Sequence, residues 1–98
     1  LERRARTAAG EIDLVACRRG VLTFIEVKER ADMDTARHAV TPRQQRRLVR
    51  AGALWRGRHA RFCEHEVRFD LMLVTPWRWP RRIKAAFMAE GPDGHDLI

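Results

Sequence analysis

Lysine is nearly missing from this sequence. Of its twenty basic residues, only Lys28 and Lys84 are lysines and the other eighteen are arginines. Where general positive charge suffices, the chain uses arginine. A lysine at 28 therefore marks a need for a compact point charge able to hold a water or an anionic oxygen, with chance as the competing explanation. Cysteine is also scarce. Cys17 and Cys63 make neither a disulfide framework nor a CxxC pair, which fits a reduced, cytoplasmic setting. No apolar run reaches about 18 residues and no signal-peptide core opens the chain, so neither a spanning helix nor a secretory leader is expected. Internal repeats and low-complexity tracts are absent as well.

What is there suits one small domain. The chain has 98 residues and 45% hydrophobic content, enough for one packed core and no more. The core is expected over about residues 9–89, with 90–98 a frayed tail. Basic residues outnumber acidic ones by 20 to 13, a formal charge of +7. Such a field favours nucleic acid or another polyanion through counterion release, although arginine-rich coding bias explains charge equally well.

The chain is organised around GEIDLVACRRGVLTFIEVKER, residues 10–30. Glu11-Ile12-Asp13-Leu14 alternates charge with aliphatic residues as a half-buried strand does. Val21 to Val27 is rich in β-branched and aromatic residues, with Leu22, Phe24, Glu26 and Lys28 on one face. Arg18-Arg19-Gly20-Val21 between them is a turn signal. Closing the hairpin there pairs residues whose numbers sum to 39, which sets Asp13 opposite Glu26 and Glu11 opposite Lys28. Opposed Cβ atoms stand about 4.5–5.5 Å apart, where two carboxylates repel. A divalent cation removes that conflict, and Mg²⁺ takes one or two carboxylates with waters and substrate phosphates. Lys28 projects from the same face about 7 Å beyond Glu26. The constellation suits phosphodiester hydrolysis.

Asp13 followed by Glu26-Val27-Lys28 resembles the core motif of the PD-(D/E)xK nuclease superfamily. More narrowly, GEIDLVA, FIEVKER, AVTPRQQRRL and VRFDLMLV, in this order and at these spacings, resemble the YraN family of bacterial proteins over roughly residues 1–89. That family is similar to archaeal Holliday junction resolvases. The resemblance implies a restriction-endonuclease-like core, a mixed central sheet flanked by helices, and Mg²⁺ or Mn²⁺ as cofactor. It also implies Asp13 and Glu26 as metal ligands and Lys28 as the residue that positions the attacking water. Glu11 is a further candidate ligand, or an ion-pair partner of Lys28. Junction-cutting relatives act as dimers, so a homodimer is among the arrangements implied. In the family, the segment matching Leu1 to Thr7 is an edge strand preceded by a helix that carries another site Glu. The sequence begins after that helix would end, so the N-terminal helix is expected to be absent.

The rest of the chain follows in order. Residues 31–40 read as a polar loop in which Asp32, Asp34 and His38 are solvated side chains. Thr41-Pro42-Arg43-Gln44 opens a helix with an N-cap, an N1 proline and a capping box. Leu48, Ala51, Gly52 and Trp55 form its apolar stripe. Arg43, Arg46, Arg47 and Arg50 lie largely opposite, as a phosphate-contacting surface or a simply solvated one. By resemblance Gln45 is the helix residue that points at the active site, whereas Gln44 is explained by capping. His59, Cys63 and His65 fit no structural zinc spacing. Glu66 to Thr75 reads as a strand buried on both faces and parallel to the preceding one, its crossover right-handed. Asp70 is expected as an ion-pair or hydrogen-bond partner. Pro76-Trp77-Arg78-Trp79-Pro80 breaks the strand, its tryptophans serving as core caps more readily than as base-stacking platforms. Ile83 to Ala89 forms a short helix or a strand with a turn, with Ile83, Phe87 and Met88 as its inward-facing candidates.

The sequence thus predicts an α/β domain with a mixed sheet of about four strands and the 41–57 helix on one face. Its function is read as Mg²⁺- or Mn²⁺-dependent DNA endonuclease. The rivals are a non-catalytic nucleic-acid-binding module on the same fold and a protein–protein adaptor using the Trp77/Trp79 segment.

Overall fold

A computed structural model describes residues 1–29, 40–76 and 78–87. The order is β1 (Glu2–Thr7), β2 (Gly10–Arg18), β3 (Val21–Glu29), α1 (Pro42–Gly57), a 3₁₀ turn (Ala60–Phe62), β4 (Glu66–Val74) and β5 (Arg81–Phe87). The strands form one sheet in sequence order, antiparallel throughout except for the parallel β3–β4 pair. This is the α/β class expected, with five strands where about four were read. Leu1 to Thr7 supplies the edge strand β1, and the segment from Arg81 is a strand. Asp32, Asp34, His38, Trp77, Met88 and the tail lie outside the described residues.

The β2–β3 turn forms because Arg19 and Gly20 both take positive φ, 50° and 80°. That pairing of angles is the two-residue hairpin turn whose twist matches the flanking strands. It fixes the predicted register, from Arg18↔Val21 to Leu14↔Ile25.

Helix α1 starts where capping chemistry starts it. The Thr41 hydroxyl accepts the Gln44 N–H at 3.2 Å, and the Gln44 side chain accepts the Thr41 N–H at 3.0 Å. Leu48, Val49, Ala51, Gly52 and Trp55 are buried. They pack with Ala5, Ile12, Val15, Leu22, Phe24, Phe62 and Phe69 into the main core. Phe24 lies at its centre, edge-on to Trp55 at 5.9 Å and 5.6 Å from Phe69.

Gly52 lets the helix sit this close to the sheet. A Cβ there would lie 2.9 Å from a ring carbon of Phe24, and Phe24, held between Trp55 and Phe69, has little room to yield. Alanine gains about 1 kcal/mol in helix propensity, but overpacking costs about 1–3 kcal/mol. Gly52→Ala is therefore expected to lower stability by about 1 kcal/mol in urea unfolding, against the usual sign for glycine-to-alanine in a helix.

On the opposite face, Asp70 is fully buried and held by two arginines. Arg68 donates to both its oxygens at 2.8 and 3.0 Å, and Arg82 donates at 2.7 Å. The expected ion pair is met. No helix among the described residues is long and apolar enough to cross a membrane.

Candidate functional site

The alternation of β3 decides which side chains share a face. Leu22 and Phe24 enter the core under α1, so Glu26 and Lys28 continue on that side, past the end of the packed region. Parallel pairing sets Glu26 beside Leu71 and Lys28 beside Leu73. Those leucines are almost fully buried and pack with Val40 and Ile83. The result is an apolar floor next to a carboxylate, and Glu26 is only 7% exposed.

The strand pairing around Asp13 is irregular. The β1–β2 register runs through Arg3↔Leu14 and resumes at Ala5↔Ile12, while Arg4 adopts φ 52°. A positive φ is uncommon for a residue with a side chain, and the register is the same on both sides of it, so only the Arg4–Asp13 rung is missing. Ile12 and Val15, three apart, both enter the same core, so β2 departs from strict alternation between them. The β2–β3 register ends at Leu14↔Ile25. In place of the next rung, the Asp13 carboxylate accepts the Val27 N–H at 2.9 Å. Sequence counting set Asp13 opposite Glu26. The structure brings the two side chains together through this side-chain-to-backbone bond.

The electrostatics follow from that meeting. Burial holds the Glu26 carboxyl above its ordinary range, and the charge and hydrogen bonding of Asp13 raise it further. Lys28, its Nζ 3.1 Å from Glu26, opposes both effects. The folded-state pKa of Glu26 thus exceeds its unfolded value, whose ordinary level is 4.5. Stability from this group is complete below the unfolded value and is lost as pH rises through the folded one. Glu26→Gln is therefore expected to gain stability on the wild-type protein as pH climbs from 4.5 toward neutrality. Urea unfolding at several pH values checks it.

The remaining sequence candidates divide. Glu11 does not join the acids. Its carboxylate lies 3.9 Å from Arg6, and Lys28 turns to Glu26 instead. The cause is the early end of the ladder, which cancels the predicted Glu11–Lys28 rung. Among the described residues no group of three or more His, Cys, Asp or Glu could hold a metal, so the carboxylate pair stands as two. Gln45 donates from its amide to the Val40 carbonyl at 3.2 Å. Val40 packs on Leu71 and Leu73, so Gln45 borders the site and has no described hydrogen bond to Asp13, Glu26 or Lys28. Arg43, Arg46 and Arg50 are exposed. Arg47 is half-buried, lies over Gly10 and donates to the Glu11 carbonyl at 3.3 Å. Arg47 is a clamp on the β1–β2 hairpin and leaves the exposed arginine row. His59 stacks on Trp55 at 3.8 Å and His65 meets the edge of Phe62. Trp79, read as a core cap, is 93% exposed.

Two contributors escaped sequence reasoning. One is the Val27 N–H, whose role depends on where a ladder stops. The other is Arg81, opposite Leu73 and so on the same face as Lys28. Only the β4–β5 register reveals it.

An ion fits this pair by its chemistry. Two carboxylates close together, one of them desolvated, carry an excess of negative charge that one lysine only partly offsets. Oxygen donors of this kind suit a hard cation such as Mg²⁺ or Mn²⁺.

Comparison with known proteins gives a consistent result. The family model described as uncharacterised protein family UPF0102 matches residues 1–74. The chain is 51% identical over 89 residues to a UPF0102 protein of Bradyrhizobium diazoefficiens, a match covering 91% of this chain and 67% of that protein. It is 52% identical over 87 residues to one of Rhodopseudomonas palustris, covering 89% and 64%. A UPF0102 protein of Maricaulis maris is 47% identical over 98 residues, covering all of this chain and 76% of its own length. The chain thus spans about two thirds of the relatives it matches.

Proposed function

This chain belongs to the UPF0102 family, and from its site we propose that it is a Mg²⁺- or Mn²⁺-dependent endonuclease of the PD-(D/E)xK type acting on DNA. One observation carries the reading. Asp13 and Glu26 converge over an apolar floor with the Lys28 ammonium 3.1 Å from Glu26.

The roles follow from the side chains. Asp13 and Glu26 hold the ion, Asp13 aimed by the Val27 N–H. A cation bound there supplies Lewis-acid activation of water and of phosphoryl oxygens. Lys28 has three donors on a compact charge. It orients the attacking water and offsets charge developing on the phosphate. Leu71 and Leu73 keep bulk water from beneath the acids, which strengthens these interactions. Arg43, Arg46 and Arg50 contact backbone phosphates away from the reacting centre. Gln45 positions the helix start beside the site through Val40. A cytoplasmic setting belongs to the same reading, and so does a homodimer like that of junction-cutting enzymes.

The exposed arginines by themselves favour a second reading, a DNA-binding module without chemistry. Cleavage of labelled linear and branched DNA separates the two. Products that depend on Mg²⁺ or Mn²⁺ and vanish with Asp13→Ala support the endonuclease. Equal products from both chains remove Asp13 from the mechanism and indicate a contaminating nuclease. Salt-sensitive binding without products at any metal concentration leaves the module.

A further inference from the structure

We propose that Trp79 is a base-stacking residue that selects nucleic acid carrying an unpaired base near the reacting phosphate. The inference rests on the endonuclease reading for the position of that phosphate.

Three observations converge on it. Trp79 is 93% exposed, against 64% for Leu1 and 41% for Leu54, the other exposed large apolar residues among those described. A bare indole in water leaves unused a large flat surface suited to stacking. Its surroundings are cationic. Arg78 and Arg81 are exposed along the same short run, and their guanidinium groups suit phosphates better than an apolar protein surface; Arg82 is turned to Asp70 on the other face. Pro76 and Pro80 bracket the turn, each with a fixed φ that limits the ordering cost of presenting the ring.

Topology then places Trp79 at the same end of the sheet as the site. Because β3 and β4 are parallel, the turn after β4 leaves the sheet at the end where β3 carries Glu26 and Lys28. Lys28 is paired with Leu73, and Leu73 with Arg81. Two strand spacings separate Lys28 from Arg81, roughly 10 Å between backbones. Trp79 lies two residues before Arg81 on that rim. Two residues span at most about 7 Å, so Trp79 stands within a few nucleotides of a phosphate held at Lys28.

Base faces in an intact duplex are already stacked on their neighbours. Only a single-stranded, splayed or terminal base offers its face to an indole. The substrate class that follows is DNA with unpaired bases beside the cleavage position, such as a flap, a fork or an open junction.

The test is fluorescence anisotropy with the whole chain, Ca²⁺ replacing Mg²⁺, on a labelled duplex and on the same duplex bearing a single-stranded arm. Wild type is expected to bind the armed duplex about 5- to 150-fold more tightly, the range for one stacked base. Trp79→Ala is expected to bring the two affinities within about twofold, through loss on the armed duplex alone, while Trp79→Phe keeps most of the preference. A wild type without preference, no binding at all, or equal weakening of both substrates by Trp79→Ala overturns the proposal. So does a partner protein whose binding depends on Trp79 while the DNA preference survives Trp79→Ala, which assigns the ring to a protein interface. An RNA arm that responds in the same way supports stacking and shows that the sugar is not read. Binding is measured without cleavage, so the two readings fail separately. A chain that prefers the arm but never cuts loses only the endonuclease reading, and one that cuts without preference loses only this inference.

Discussion

Asp13→Ala is expected to lower metal-dependent cleavage by at least about a thousandfold while leaving the chain folded. A bound cation supplies several kcal/mol of transition-state stabilisation, and about 4 kcal/mol corresponds to that factor. The alanine removes one of two carboxylates and leaves Glu26 with only its Lys28 pair. Asp13→Asn separates charge from position. An amide oxygen still accepts the Val27 N–H that anchors the residue but brings no negative charge, so activity falls nearly as far. Stability moves the other way. Removing the Asp13 charge lowers one of the two main causes that raise the Glu26 carboxyl, so Asp13→Asn gains stability at neutral pH in the absence of metal. Cleavage rates and thermal unfolding of the same preparations check both halves. A variant that loses activity and stability together points to damage and not to a lost ligand.

Trp55→Ala is expected to cost about 3–5 kcal/mol, the range for deleting a large buried aromatic side chain. Trp55 is 2% exposed and touches four features at once. Its ring meets Phe24 edge-on, stacks on His59 and lies 5.6 Å from Phe62, and its Nε1 donates to Glu2 at 2.9 Å. One side chain thereby ties α1 to edge strand β1, to central strand β3 and to the 3₁₀ turn. Domains of this size have about 5–15 kcal/mol in total, and each kcal/mol shifts Tm by about 4–8 °C. A fall of roughly 15–35 °C is expected in thermal unfolding. A loss under about 5 °C shows that the helix does not depend on this anchor.

Local chemistry made much of the fold readable. The Arg19-Gly20 turn, the Thr41 capping box and the Leu48–Trp55 stripe each depend on residues close in sequence, and each stands as expected. The hairpin register followed from the turn, and with it the neighbourhood of Asp13 and Glu26. What stayed hidden depends on where regular structure stops. Strict alternation gave Glu11 to Lys28, but the ladder ends at Leu14↔Ile25 and the lysine folds back on Glu26. No pattern in the sequence marks the Arg4 kink, because arginine has no special tolerance for positive φ. Arg47 sits among similar arginines, and only the approach of the Gly10 turn makes it a clamp. For Trp79, the commoner fate of an indole near a core gave the wrong side: it is 93% exposed, in a run with the exposed Arg78 and Pro80.

The central claim is that two carboxylates converge on one cation beside a lysine. Anomalous diffraction from crystals soaked in Mn²⁺ tests it most directly. A single strong peak within coordination distance of both the Asp13 and Glu26 oxygens, absent from Asp13→Asn crystals soaked alike, is the predicted result. An undisturbed Glu26–Lys28 pair with no peak between the acids, at Mn²⁺ concentrations that saturate any other site, contradicts it.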